Sequence, residues 1–264
     1  MNICNRVAFS IFGIDVYFYG LIIAGAIIAC VVLSLIFCKH KNIDTNMPFE
    51  IFLAIIPLGI LTARLFSVIF EPGLSLADFF NFRTGGMSIF GAVLGGALGV
   101  LVYKFIRKKP FLQVADIITS VLLIGQSIGR WGNYFNEELY GMQIDNPAWQ
   151  FFPFAVQIDG NWFAALFFYE SVLTFIGFVV IMIVYFKTNK TGLVTGIYLV
   201  YYGTIRLILE NMRQPEFILK WGNLQVSSLV SALFVACGVA ILIYIIVKNY
   251  KQKKEQKIGR QENS

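Results

Sequence analysis

The sequence predicts an all-α, polytopic membrane protein with seven transmembrane helices, its N-terminus outside and its C-terminus cytoplasmic. Three observations lead there. Hydrophobic residues make up 58% of the 264-residue chain and charged residues only 14%, against about a quarter charged in soluble domains. Seven runs approach the ~20 apolar residues that a helix needs to cross a bilayer. Lysine and arginine crowd into alternate connections between those runs, the asymmetry that sets membrane orientation.

In chain order the runs cover roughly residues 16–38, 48–70, 87–106, 112–129, 164–186, 192–212 and 226–247. A soluble enzyme of this length would show alternating or amphipathic segments, and few are present. The fourth run is the weakest, because Asp116, Thr119 and Ser120 interrupt it. The third carries Gly91, Gly95 and Gly99 at every fourth position, and Gly125/Gly129 and Gly192/Gly196 repeat that spacing. Small residues four apart let helix backbones approach closely. Arg107-Lys108-Lys109-Pro110 forms an inner turn in which proline stops the preceding helix. The longest connection, about 130–163, is expected outside. Its many aromatics, Trp131, Tyr134, Tyr140, Trp149 and Trp162 among them, place it against the bilayer surface. No long repeat or second soluble domain is visible. Residues 1–247 read as one integral membrane domain and 248–264 as a basic cytoplasmic tail.

Orientation follows from the basic residues. Segments 39–45, 104–113, 187–191 and 248–264 hold 14 of the 21 lysines and arginines. The opposite connections hold Arg6, Arg83, Arg130, Arg213 and Lys220, while Arg64 and Arg206 fall inside runs. Basic residues favour the cytoplasmic side, so an odd number of spans joins an outer N-terminus to an inner C-terminus. The net charge of +6 is mostly this bias, and no nucleic-acid partner is implied.

Three patterns are discounted. Cys4, Cys30, Cys38 and Cys237 show no metal-ligand spacing, and the last three, in apolar runs, read as small core residues. Ile27-Ile28-Ala29-Cys30 has the look of a lipobox, but the apolar run continues through Cys30 and only Arg6 precedes it as a basic residue, so cleavage is not expected. Gly125-Gln126-Ser127-Ile128-Gly129 fits a nucleophile elbow in letters alone. That motif belongs on a strand-to-helix turn, and the single histidine, His40, lies in an inner connection.

Depth along the runs gathers the remaining polar residues. At about 1.5 Å per residue, Arg206 lies roughly 10 Å below the outer end of its run. Arg64, Arg130, Tyr19, Tyr169 and Glu170 fall in the same outer half. A mid-membrane arginine costs about 2.5–3.5 kcal/mol on insertion scales and needs a partner. Arg206 and Glu210 are four apart, Glu210 and Arg213 three apart, so they share a helix face. Such a ladder either neutralises itself and ties spans together, or leaves guanidinium donors for an anionic head group. Arginine suits phosphate because its planar fork pairs two oxygens and stays charged.

The segment Gly129-Arg130-Trp131-Gly132-Asn133-Tyr134-Phe135-Asn136-Glu137-Glu138-Leu139-Tyr140-Gly141 resembles the signature of the bacterial phosphatidylglycerol–prolipoprotein diacylglyceryl transferase family. Phe18-Tyr19-Gly20, Gly85-Gly86-Met87-Ser88, Tyr169-Glu170 and the stretch from Arg206 to Pro215 are similar to shorter family motifs. The resemblance covers nearly the whole chain. It implies transfer of diacylglyceryl from phosphatidylglycerol to the lipobox cysteine of a prolipoprotein signal peptide, with no cofactor or metal, in the bacterial plasma (inner) membrane. Family roles carry over to Tyr19, Arg130, Asn133, Glu138, Gly141, Arg206 and Glu210. Tyr19, Arg130, Glu138, Arg206 and Glu210 are the candidate catalytic residues. Arg130, Asn133, Gly141, Glu170, Arg206 and Arg213 are the candidate substrate contacts. The chain departs from the family at Ile89-Phe90, where a histidine or tyrosine is common, and before Tyr169-Glu170, where His-Pro is common. Two other readings stay open: a paralogue that binds anionic lipid without catalysis, and a small anion transporter. Against the transporter, no inverted repeats with broken helices are apparent.

Overall fold

A computed structural model of the chain describes residues 6–70, 73–81, 86–218, 220–221 and 224–261. Cys4, Arg83, Gly85 and the last three residues lie outside these, as do the side chains of Lys220, Lys253, Lys257 and Arg260. The described residues form seven long helices: α1 (Phe18–His40), α2 (Asn46–Phe70), α3 (Ile89–Arg107), α4 (Phe111–Asn136), α5 (Leu166–Lys187), α6 (Leu193–Glu210) and α7 (Val226–Gln261). All seven are long and apolar enough to cross a membrane. Three antiparallel hairpins punctuate them: β1 (Val7–Ile11) with β2 (Ile14–Tyr17), β3 (Ala155–Ile158) with β4 (Asn161–Ala164), and β5 (Lys220–Trp221) with β6 (Leu224–Gln225). Large apolar side chains such as Ile28, Leu53, Leu233 and Ile246 are exposed on the helices, as suits surfaces solvated by lipid rather than water.

The helices follow the expected runs, with informative differences at their ends. α4 continues seven residues past the expected end at 129, because aromatic residues in its last turns find rings to pack on. Its polar interruptions do not break it. Asp116, Thr119 and Ser120 are all buried in protein, where polar groups in a membrane helix are tolerated. α7 also outruns its hydrophobic segment, continuing as a helix into the basic tail.

The chain divides into two compact units. The smaller, residues 31–118, is built on α2 and α3. Gly91, Gly95 and Gly99 put the α3 backbone directly on α2: a methyl at Gly99 would stand 2.8 Å from Ile55 Cα. The Thr62 hydroxyl donates across this contact to the Gly91 carbonyl at 2.7 Å. Cys38, Met47, Ile51, Val100, Tyr103, Val114 and Ile117 form its core. Arg64 is fully buried. Its guanidinium donates to the carbonyls of Asp78 (2.6 Å), Asn81 (2.8 Å), Gly86 (3.0 Å) and Phe79 (3.3 Å), which clamps the connection after α2. Phe90, where the family often has histidine, stacks toward Phe66 with ring centroids 6.3 Å apart.

The larger unit, residues 1–30 and 119–264, holds the start of α1, most of α4, and α5 to α7. α1 passes unbroken through Cys30, whose thiol donates to the Val121 carbonyl and touches the space beside Gly125. α6 meets α7 through Gly196, Gly203 and Gly238; a methyl on Gly238 would lie 2.8 Å from the Gly196 carbonyl. Gly192 also caps the start of α6 at φ +91°, a left-handed conformation that glycine adopts without strain. One sequence expectation needs correction, at Cys237. It is not in the core. α7 meets the α6 glycines through Ser231, Phe234, Val235, Gly238 and Leu242, and Cys237 is exposed.

Candidate anion-binding site

The site lies in the larger unit, at the end where α1 and α5 begin and α4 and α6 finish. The aromatic residues of the last α4 turns make it possible. Trp131 and Tyr134 pack on Phe167 with centroids 5.5 and 5.1 Å apart, and Phe135 stacks on Phe18 at 4.7 Å. That packing keeps residues 130–136 helical, so Arg130 and Asn133, three apart, share a face.

Arg130 donates to Asn133 Oδ1 at 3.2 Å and pairs with Glu170 at 2.7 Å. Glu170, in the second turn of α5, is buried, and its other oxygen pairs with Arg206 at 3.1 Å. Arg206 also reaches Glu210 and the Ser227 hydroxyl, each at 3.0 Å. Glu210 pairs in turn with Arg213 at 3.5 Å. The result is one alternating chain, Arg130–Glu170–Arg206–Glu210–Arg213, drawn from α4, α5, α6 and the turn just after α6. Three guanidiniums face two carboxylates, so the chain carries one net positive charge.

The positive surplus sits with unused hydrogen-bonding capacity. Among the described residues, the buried Arg213 Nε and Glu210 Oε1 have no partner. Burial lowers the affinity of Arg213 for its proton, and the neighbouring Arg206 pushes the same way. An anion would relieve both effects.

Glu138 reaches the chain indirectly. Its carboxylate accepts from Asn133 Nδ2 at 2.8 Å and from Asn136 Nδ2 at 3.4 Å. The backbone turns back sharply to bring it there, with Glu137 at φ +54° and Leu139 at φ +58°. Left-handed backbone costs about 1–2 kcal/mol per residue for side chains with a Cβ, and such strain concentrates at functional sites. Tyr19, in the first turn of α1, lies over Gly132: a methyl there would stand 2.7 Å from its ring.

Gly141 brings no side chain to the site. It forms a backbone bridge with Arg213, donates to the Ala164 carbonyl at 2.9 Å, and is followed by Met142 donating to Met212 at 3.0 Å. A methyl at Gly141 would lie 2.8 Å from Ala164 Cβ, 2.9 Å from Leu166 Cγ and 3.0 Å from the Met212 carbonyl. Its observed part is close packing, which holds the segment bearing Arg213 in place. All nine candidate residues fall in the larger unit, eight by side chain and Gly141 by backbone.

Sequence reasoning passed over Tyr202, Ser227 and Gln126. The Tyr202 hydroxyl donates to Glu170 at 3.4 Å. Tyr198 stacks on Tyr202 with centroids 5.8 Å apart, and Gln126 Nε2 donates to the Tyr198 hydroxyl at 2.9 Å. A signal was present: Tyr202 precedes Arg206, and Gln126 precedes Arg130, by one helical turn each. Ser127 spends its hydroxyl on Ser171, donating to that carbonyl at 2.8 Å, which leaves no place for a hydrolase nucleophile.

Seven helices able to cross a membrane, with a buried cluster of three arginines and two glutamates where α4 and α6 finish, define a polytopic membrane protein with a charged interior site. The chain belongs to the prolipoprotein diacylglyceryl transferase family, whose pattern it matches over residues 6–244. It is 34% identical over 258 residues to phosphatidylglycerol–prolipoprotein diacylglyceryl transferase 1 of Clostridium perfringens, covering 95% of this chain and 98% of the relative. The corresponding transferase of Finegoldia magna is also 34% identical, covering 90% and 95%. That of Listeria monocytogenes serotype 4a is 31% identical, covering 97% and 95%. With its seven spans, the chain is a multi-pass protein of the bacterial plasma membrane.

Proposed function

We propose that this protein transfers the diacylglyceryl group of phosphatidylglycerol to the lipobox cysteine thiol of a prolipoprotein. The observation that carries the reading is the buried chain of three arginines and two glutamates, whose single surplus charge matches one phosphodiester. In the transfer, the cysteine sulfur bonds to the terminal glyceryl carbon. The bond from that carbon to the phosphate oxygen breaks, and glycerol phosphate leaves with the electron pair. The phosphate goes from one negative charge to two as that bond opens. Donors fixed beforehand then stabilise the transition state more than the bound lipid, which is the condition for catalysis.

Arg130 and Arg206 hold the phosphate and its developing charge. Asn133 binds the head group, Glu210 orients Arg206 and Arg213, and Tyr19 lines the lipid site. Glu170 spends both oxygens on arginines and so acts as their spacer. Glu138, whose carboxylate accepts from the amides of Asn133 and Asn136, is better suited to accept the thiol proton, since Phe90 offers no base. A thiol of pKa about 8.5 costs roughly 2 kcal/mol to ionise at neutral pH. Losing one preorganised donor costs about 2.7–4 kcal/mol, so the arginines matter more than the identity of the base.

In this reading residues 1–247 form one membrane domain with the site at the outer face, and 248–264 is a cytoplasmic basic tail. The lipobox peptide meets the lipid beside Arg130. The test uses purified protein in proteoliposomes with phosphatidylglycerol and a lipobox peptide. A peptide mass gain of one diacylglyceryl group, with glycerol phosphate released, is expected. Arg206→Gln should abolish turnover while the protein still inserts; full activity in that variant refutes the assignment.

A further inference from the structure

The hairpin β1/β2 has one apolar and one polar face, and its sequence is odd for a turn exposed to water. Its pairing sets Phe9 opposite Val16 and Ser10 opposite Asp15. Because side chains alternate across a strand, Phe9, Ile11 and Val16 share one face, while Ser10 and Asp15 share the other and hydrogen-bond to each other. The apolar face is open: Phe9 is 46% and Ile11 50% exposed. At the tip, Phe12 and Gly13 both have positive φ, +51° and +77°. A two-residue turn of this kind favours Asn-Gly or Asp-Gly. Here the first position holds a phenylalanine in a left-handed conformation, with its side chain fully exposed.

An aromatic ring fully exposed at a strained tip calls for an apolar surrounding. The hairpin is not free to seek that surrounding elsewhere. The Phe18 backbone N–H donates to the Arg6 carbonyl at 3.1 Å, and β2 ends one residue before α1 begins. The hairpin is therefore fixed where a transmembrane helix enters the bilayer. At that boundary one side is hydrocarbon and the other water, which matches its two faces. Aromatic side chains also favour this layer.

We propose that the β1/β2 hairpin is a membrane anchor: Phe12, Ile11 and Phe9 insert into the head-group–acyl boundary of the bilayer that holds α1, and Ser10 and Asp15 face water. Insertion sets the depth of the first turn of α1, which carries Tyr19. The surface fits lipid of any head group, because its contacts are apolar, and does not depend on the catalytic reading.

The test is site-directed spin labelling in phosphatidylcholine vesicles, in a background with Cys4 and Cys237 replaced by serine and a label-free control for the buried cysteines. Labels at Phe9→Cys and Ile11→Cys should be relaxed more by oxygen, which partitions into lipid, than by a water-soluble nickel chelate. A label at Ser10→Cys should show the reverse. Phe12→Asn suits the turn better than the native residue, so it should keep the hairpin folded while moving the Ile11→Cys label several-fold toward the aqueous reagent. Equal aqueous access at residues 9, 10 and 11 overturns the proposal. So does protection of residue 11 that disappears on dilution of the protein in lipid, which would assign the face to a second copy of the chain.

Discussion

Replacing Glu170 with glutamine tests the charge argument most directly. The amide keeps the shape of the carboxylate and removes only its charge. Glu170 is 3% exposed and stands between Arg130 at 2.7 Å and Arg206 at 3.1 Å. Without it, the ion-pair chain carries two surplus charges instead of one, and Arg130 loses its ion-pair partner in that chain. At an effective dielectric constant near 20, a unit pair about 4 Å apart is worth roughly 4 kcal/mol. Breaking a buried pair by removing one member typically costs about 3–5 kcal/mol, so Glu170→Gln should lose about that much stability in neutral lipid. An anionic ligand should restore more to the variant than to the parent, because the variant has more positive charge to compensate. The assay is reversible unfolding in mixed micelles, comparing zwitterionic lipid with increasing phosphatidylglycerol. A cycle with Arg130→Gln should show coupling, the double variant being less damaged than the sum of the two. Stability within about 0.5 kcal/mol of the parent, typical of surface substitutions, would refute the reasoning, as would equal rescue of both proteins by anionic lipid.

Other consequences follow from particular contacts. Gly141→Ala would crowd Ala164, Leu166 and the Met212 carbonyl; overpacking of this kind costs about 1–3 kcal/mol, and amide exchange at Met142 should quicken as its bond to Met212 opens. Arg64→Met leaves the carbonyls of Asp78, Phe79, Asn81 and Gly86 without their guanidinium; exchange through residues 78–81 should rise while the glycine contact of α2 with α3 holds, and unchanged exchange would show that the clamp is idle. The Ser75 hydroxyl and backbone N–H hold the Asp78 carboxyl below its usual pKa. Order in the 75–78 turn should therefore be fully present above about pH 4, the ordinary aspartate value, and be lost as pH falls through the lower folded value, as amide exchange at Ser75 would record.

What the sequence disclosed depends on the range over which each interaction acts. Seven spans were legible because twenty consecutive apolar residues need no partner to be recognised. Arg213 reaches Glu210 from the turn past the end of α6, whereas the Arg206–Glu210 pair was legible because a helix places residues four apart on one face. Gly91, Gly95 and Gly99 were legible for the same reason, and the structure puts α2 against them. The end of α4 was not, since residues 130–136 stay helical through rings supplied by Phe18 and Phe167 from other helices. Nor were the hairpins, each strand being two to five residues long and too short for an alternating pattern to stand out.

Glu170 shows the limit most sharply. In sequence it is a single carboxylate early in an apolar run, at 40 residues from Arg130 and 36 from Arg206. Depth alone placed it near both arginines, but not between them. That position decides its chemistry. A carboxylate beside one arginine keeps an oxygen for another partner, whereas the two oxygens of Glu170 each hold a guanidinium. The fold therefore makes a candidate substrate contact the spacer between Arg130 and Arg206. Arg213 completes the argument from the other end. Local sequence gives it Glu210 as a partner, and Glu210 is already shared with Arg206. The surplus charge thus arises because two carboxylates are divided among three arginines, and it is this charge that the proposed phosphate ligand would balance.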